Sequence, residues 1–255
     1  MIDFESALRR LACICALAVL SACGGGGGDN SDTPAAKAVD SSTGATSSTG
    51  SDGSASTAPG AMHSGEGTYY AATGAGACSF DPGADLMVAA INHTDYAGSA
   101  ACGAFITVTG PRGSVTVRIT DECPECAPGD VDLSAEAFAL IADPVAGRVP
   151  ITWQVVAGNA SGPVQYRYKE GSTRYWTAIQ VRNHRVPIAR LQIQPAGSSG
   201  WIEVQRTQYN YFVHPTTISA GALQVRIIAN TGATLQDTLA EPLGGVLVAG
   251  SGQFP

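Results

Sequence analysis

Apolar and polar residues alternate in short runs over most of the chain, beginning near Gly65. The stretches LMVAAIN, FITVTG, SVTVRIT and ITWQVV are rich in β-branched residues and are separated by Gly, Pro and Asn, which predicts strands. One short helix is predicted from Ser134 to about Ala142, with Ser134 as N-cap and Glu136 in the first turn. A linker, NASGP, runs to Pro163, and strand patterns then resume in VQYRYK, TAIQVRN, ARLQIQ, WIEVQR, LQVRII and TLQDTL. The pattern therefore predicts two β domains, residues 65–158 and 159–255, each of ordinary single-domain size. No internal repeat is apparent.

The chain before Gly65 has a different texture. Arg9 and Arg10 precede LACICALAVLSA, an apolar run too short to cross a bilayer and typical of a signal-peptide core. It ends in Leu20-Ser21-Ala22-Cys23, which resembles a bacterial lipobox. That resemblance implies that residues 1–22 are removed and that the Cys23 thiol carries a diacylglycerol. Ordinary secretory cleavage nearby is the alternative. Either way the protein is expected to be exported, as an outer-membrane or cell-surface lipoprotein or else secreted, with membrane contact only through the Cys23 lipid. Gly24 in place of an Asp favours the outer membrane by analogy with such lipoproteins. Residues 23–64 hold almost no large apolar side chain and cannot bury enough surface to fold, so they are expected to act as a tether.

Export changes the meaning of the cysteines. Cys13 and Cys15 leave with the signal peptide, and beyond Cys23 four remain: Cys78, Cys102, Cys123 and Cys126. An even number in an exported domain reads as two disulfides. Three connectivities are possible; 78–102 with 123–126 is the expected one. The Cys123–Cys126 pair lacks the second Cys-x-x-Cys or His pair of a zinc ribbon. Pro124, Pro128 and Gly129 make it a loop, whereas a redox dithiol opens a helix. The four histidines, His63 in the tether, His93 in a turn, and the isolated His184 and His214, form no ligand spacing. No metal or cofactor is expected.

Charge separates the two β domains. Residues 65–158 hold Arg112, Arg118 and Arg148 against eleven acidic residues, whereas residues 159–255 hold eight basic residues against four acidic ones. No basic recognition motif is present, so a nucleic-acid partner is not expected. A basic second module suits salt-sensitive contact with anionic wall polymers.

The segments GTYYAATG, AINHTDY, AACGAFITVTGP, ITDE…VDLSAEAF, KEGSTRYWTAIQVRNHRVPI and QYNYFVH together resemble the bacterial expansins, from Gly65 to Pro255. The resemblance implies a mainly β fold: a six-stranded double-psi β-barrel, related to family-45 glycoside hydrolases, followed by an immunoglobulin-like β-sandwich that binds polysaccharide. It also implies a monomer that loosens plant-type walls without hydrolysis and takes cellulose or a related wall polysaccharide as partner. By the same resemblance Thr68, Asp121 and Asp132 belong to the barrel groove, with Asp132 in the place of the hydrolases' general acid. Tyr175, Trp176 and Tyr209 form the sandwich's aromatic platform, with Lys169 as a polar contact. Cys123 departs from the pattern, standing where an aromatic residue is common.

Read without the family, Asp121 suits an Asx-type turn and Asp132 a pre-helix cap. Alternation along TAIQV sets Trp176, Ala178 and Gln180 opposite Ile179 and Val181, so Trp176 faces out and Tyr175 in. Trp153 and Trp201 are expected in the core or at a domain interface. Two alternative functions remain: a lytic transglycosylase acting on peptidoglycan, and an adhesin that uses only the second domain.

Overall fold

The structure, a computed structural model, describes residues 60–255. The expectations for the signal peptide, Cys23 and most of the tether lie outside the described residues.

The first module is a closed ring of six strands. They are β1 (Met62–Tyr70), β2 (Val88–Asn92), β3 (Phe105–Gly110), β4 (Gly113–Cys123), β5 (Val131–Ser134) and β6 (Val149–Val156), in the order β1-β5-β2-β4-β3-β6. Two pairings, β1 with β5 and β2 with β4, are parallel; the other four are antiparallel. Alternation decides the core: Ile106 and Val108 of β3, and Ile151, Trp153 and Val155 of β6, all point inward and are buried. Each such side chain contributes on the order of 1.5–3 kcal/mol.

The helix α2 (Ala135–Ile141) forms where the sequence predicts it. The Ser134 hydroxyl accepts the Ala137 amide at 3.1 Å, and Phe138 and Ile141 bury their side chains. A four-residue helix, α1 (His93–Tyr96), follows β2, so His93 begins a helix and pairs with Glu122 at 2.5 Å. The tether expectation needs one correction. Residues 62–64 already belong to β1, and His63 stacks on Trp153 with ring centroids 3.8 Å apart.

The second module holds β7 (Gln165–Tyr168), β8 (Thr177–Arg182), β9 (Ile188–Pro195), β10 (Ile202–Arg206), β11 (Phe212–His214), β12 (Leu223–Ala229), β13 (Thr234–Leu239) and β14 (Leu247–Ala249). Their order is β13-β12-β9-β10-β11-β8-β7-β14. Strand β10 is the switch: Ile202–Val204 pair with β9, while Gln205 and Arg206 pair with β11. The two halves enclose one core that includes Tyr166, Ile179, Leu191, Ile193, Val225 and Ile227. The buried Tyr166 hydroxyl donates to Asp237 at 2.7 Å.

The modules meet through polar contacts. The Cys78 carbonyl accepts from Gln180 Nε2 at 2.8 Å and from Asn210 Nδ2 at 3.2 Å. The Tyr96 hydroxyl donates to the Gln208 carbonyl at 2.7 Å, and Ser99 Oγ to the Thr207 carbonyl at 2.8 Å. Asp81 receives Arg182 and Arg167 at 2.6 and 3.0 Å. Alternation therefore misplaces Ala178 and Gln180. They do point away from Ile179 and Val181, but that face of β8 meets the barrel, and both are fully buried. His184, isolated in sequence, is also buried at this joint beside Gly103, donating through Nδ1 to the Val186 carbonyl at 2.8 Å.

Candidate functional site

Sheet register builds the barrel site. Thr68 of β1 lies opposite Asp132 of β5, and Ala90 of β2 lies opposite Asp132 on one side and Asp121 of β4 on the other. Neighbouring side chains in register share a face, so the Thr68 hydroxyl donates to Asp132 Oδ1 at 2.6 Å. The separation of Asp121 and Asp132 is thus set by β2, and not by the Cys123–Cys126 staple.

Half-burial pushes the Asp132 carboxyl above the usual range. The Thr68 bond opposes this, Glu125 adds to it, Arg148 opposes it, and Asp121 adds a smaller push.

Asp121 is committed elsewhere. Its Oδ1 accepts the Ala77 amide at 2.7 Å and its neighbour Glu122's at 2.9 Å. Gly76 is pressed so close that an added Cβ would lie 2.3 Å from the Asp121 carboxyl carbon. Asp121 therefore makes a long-range contact to Ala77 in place of the Asx-type turn that local chemistry favours, with only the adjacent Glu122 amide as a local partner.

That groove, about 450 Å³, has Thr68 and Asp132 at its base and Tyr69, Glu125 and the Arg148–Glu66 ion pair around it. One side is the stapled loop, whose Cys123–Cys126 disulfide joins the end of β4 to the turn. The loop is anchored at its far end. Asp130 accepts the Glu66 amide at 2.8 Å and the Ala127 amide at 3.2 Å, and Trp153 Nε1 donates to the Gly129 carbonyl at 2.8 Å. Gly129 is obligatory there: its φ is +91°, and a Cβ would meet the Ser64 carbonyl oxygen at 2.2 Å. Cys123 itself is 5 % exposed and lines the groove beside Cys126 and Ala127.

Tyr70 was not singled out by the sequence reading. It shares the β1 face of Thr68 by alternation, which is the signal that identifies it. Its hydroxyl is buried without a partner and faces the equally unpartnered Thr120 hydroxyl outside ordinary hydrogen-bond geometry. Burial first, and then Asp121, push the phenol up to about 12.

In the second module Thr173 and Trp176 exchange backbone hydrogen bonds around Arg174 and Tyr175. This two-residue turn precedes β8, so strand alternation does not extend to Tyr175, which points outward and is 59 % exposed. Trp176, expected to be the more open ring, is only partly exposed. The Arg174 guanidinium covers one face of Tyr175 at 4.7 Å. Tyr209 is 40 % exposed and tilts against Tyr211 at 6.0 Å, with Lys169 Nζ 5.7 Å from the Tyr209 ring. Lys169 and Tyr209 are thus brought together; among the described residues no ring contact joins them to Tyr175 or Trp176. Trp153 is barrel core, but Trp201 is not buried and carries the Arg226 guanidinium at 4.2 Å.

The disulfides are Cys78–Cys102 and Cys123–Cys126. Among the described residues no three His, Cys, Asp or Glu side chains converge as metal ligands.

Residues 64–153 match the double-psi-barrel family described as lytic transglycolase. Over 215 residues the chain is 39% identical to Expansin-YoaJ of Bacillus subtilis, covering 79% of this chain and 90% of that protein. Expansin-like protein 5 of Dictyostelium discoideum is 29% identical over 206 residues, 76% of this chain and 85% of that one. The crystal structure of apo Clavibacter michiganensis expansin superposes with a TM-score of 0.71 at 36% identity, covering 76% of this chain and 99% of that chain. A single-site variant of the same protein, solved in complex with cellohexaose, gives the same TM-score at 35% identity. With barrel, sandwich and sequence in agreement over nearly the whole length of these relatives, the chain belongs to the expansin family.

Proposed function

We propose that this protein loosens cellulose-containing walls by binding glucan strands without cleaving them. The observation that carries the reading is the division of labour between the two carboxylates. A two-carboxylate inverting hydrolase needs an acid and a base about 6.5–9.5 Å apart across one groove. Here Asp132 stands in the groove with Thr68, while Asp121 spends Oδ1 on the Ala77 and Glu122 amides. Asp132 and Thr68 then serve as hydrogen-bonding groups for sugar hydroxyls. Tyr175, Trp176, Tyr209 and Lys169 supply flat faces and a polar contact for a second stretch of polymer. The cellohexaose complex of the Clavibacter relative supports a β-1,4-glucan as partner. The test pairs weakening of cellulose paper with analysis of released sugars; weakening without new reducing ends is expected.

A second reading, a lytic transglycosylase on peptidoglycan, is favoured by the match of residues 64–153 and by the burial-raised Asp132, which suits a single acid–base group. Asp132-dependent release of anhydromuropeptides would establish it in place of the first.

We further infer that the chain is exported and anchored by a lipid on Cys23, on the strength of the Leu20-Ser21-Ala22-Cys23 sequence. Intact-mass analysis of the membrane fraction tests this, and an unmodified soluble form with Cys23 intact would contradict it.

A further inference from the structure

The groove has an unequal distribution of committed and uncommitted charge. Glu66 is paired with Arg148 at 2.6 Å. Asp130 spends both carboxylate oxygens on backbone amides, which hold the stapled loop but leave its charge in place. Asp132 receives Thr68. Among the described residues Glu125 alone of these carboxylates has neither an ion pair nor a hydrogen bond, and it is exposed on the rim. It is held there because Cys123 and Cys126 close the two-residue segment that carries it. Its charge reaches Asp132, raising that carboxyl's proton affinity. The staple therefore places a negative charge on the groove rim two residues after Cys123.

We infer that Glu125 is a specificity-determining residue of the groove, through which it accepts uncharged glucan strands and rejects strands bearing carboxylates; this rests on the proposed strand-binding role of the groove. A uronate passing the rim meets Glu125, Asp130 and Asp132 with only Arg148 opposing them, and Arg148 is taken by Glu66. An uncharged strand meets the same carboxylates as hydrogen-bond acceptors for its hydroxyls. The second module has the opposite character, with Lys169 and Arg174 beside its exposed rings. Its binding therefore does not report on the groove, and the test must be site-resolved.

The experiment follows the backbone amide signals of Ala127 and Asp132 by NMR in the folded protein. The probes are cellohexaose and a cellohexaose oxidised at C6 to carry carboxylates, at low and high salt. In the wild type the oxidised oligomer is expected to bind the groove several-fold more weakly than cellohexaose, with the gap narrowing as salt rises. Glu125→Gln should narrow the low-salt gap about two- to fivefold, the scale of one exposed charge interaction. The Cys123→Ser/Cys126→Ser pair, which frees Glu125, should narrow it in the same direction. An affinity ratio unchanged by Glu125→Gln overturns the inference while leaving strand binding intact. Groove signals that fail to respond to cellohexaose in the wild type overturn the strand-binding reading, and this inference with it.

Discussion

Thr68 and Asp132 stand opposite one another in the parallel pairing of β1 and β5, and the threonine hydroxyl donates to the carboxylate at 2.6 Å. The bond survives if the carboxylate becomes a carboxamide, because Oδ1 remains an acceptor. Asp132→Asn is therefore expected to fold, to retain binding through the second module, and to lose paper weakening.

The same substitution has a stability signature. Burial raises the folded-state affinity of Asp132 for a proton, so the ionised form penalises the native state at neutral pH, and the penalty disappears as pH falls below the unfolded value. Asp132→Asn removes it. The variant should melt on the order of 1–3 °C above the wild type at pH 7, with the difference closing near pH 3. A constant difference at both pH values would contradict the raised carboxyl.

Tyr70 offers a contrast. Its buried hydroxyl has no partner, so removing it costs no hydrogen bond and relieves a desolvation penalty. Tyr70→Phe should leave urea-unfolding stability unchanged within about 0.5 kcal/mol or raise it. A loss above about 1 kcal/mol would show that the hydroxyl is bonded in solution.

His184 makes the joint acid-sensitive. Burial first of all lowers it to about 4, against an ordinary value of 6.5, and the Arg206 and Arg118 charges act in the same direction. The unfolded chain therefore binds the extra proton first, and stability is full above about 6.5 and falls as pH drops toward 4. The loss is on the order of 3 kcal/mol. Urea midpoints measured from pH 7 to pH 4 should show this slope in the wild type, and a flatter one in His184→Asn.

On the second module, Tyr209→Ala and Trp176→Ala should each weaken binding to crystalline cellulose by about 1 kcal/mol, roughly fivefold. Trp201→Ala, whose ring is covered by Arg226, should leave pull-down unchanged. Equal losses from Trp201→Ala and Trp176→Ala would mean the platform is misassigned.

Much of the β architecture was legible because β3, β6, β9 and β12 bury one face and expose the other, which alternation reports directly. It failed at β8, where the outward face is covered by the other module, and a one-strand pattern has no knowledge of what lies across from it. It failed also at Tyr175, because two turn residues precede the strand. Asp132 and Thr68 were readable from their motifs. That Asp121 accepts the Ala77 amide was not, since Ala77 lies 44 residues away in the chain.

The joint between the modules includes the Cys78 carbonyl, the Gln180 and Asn210 amides and the Tyr96 hydroxyl. Hydrogen bonds tolerate little change of angle, whereas greasy contacts slip. The bonds at this joint therefore resist a change of angle between the modules. If one strand is held by both modules as proposed, its path is set by the bonds of this joint.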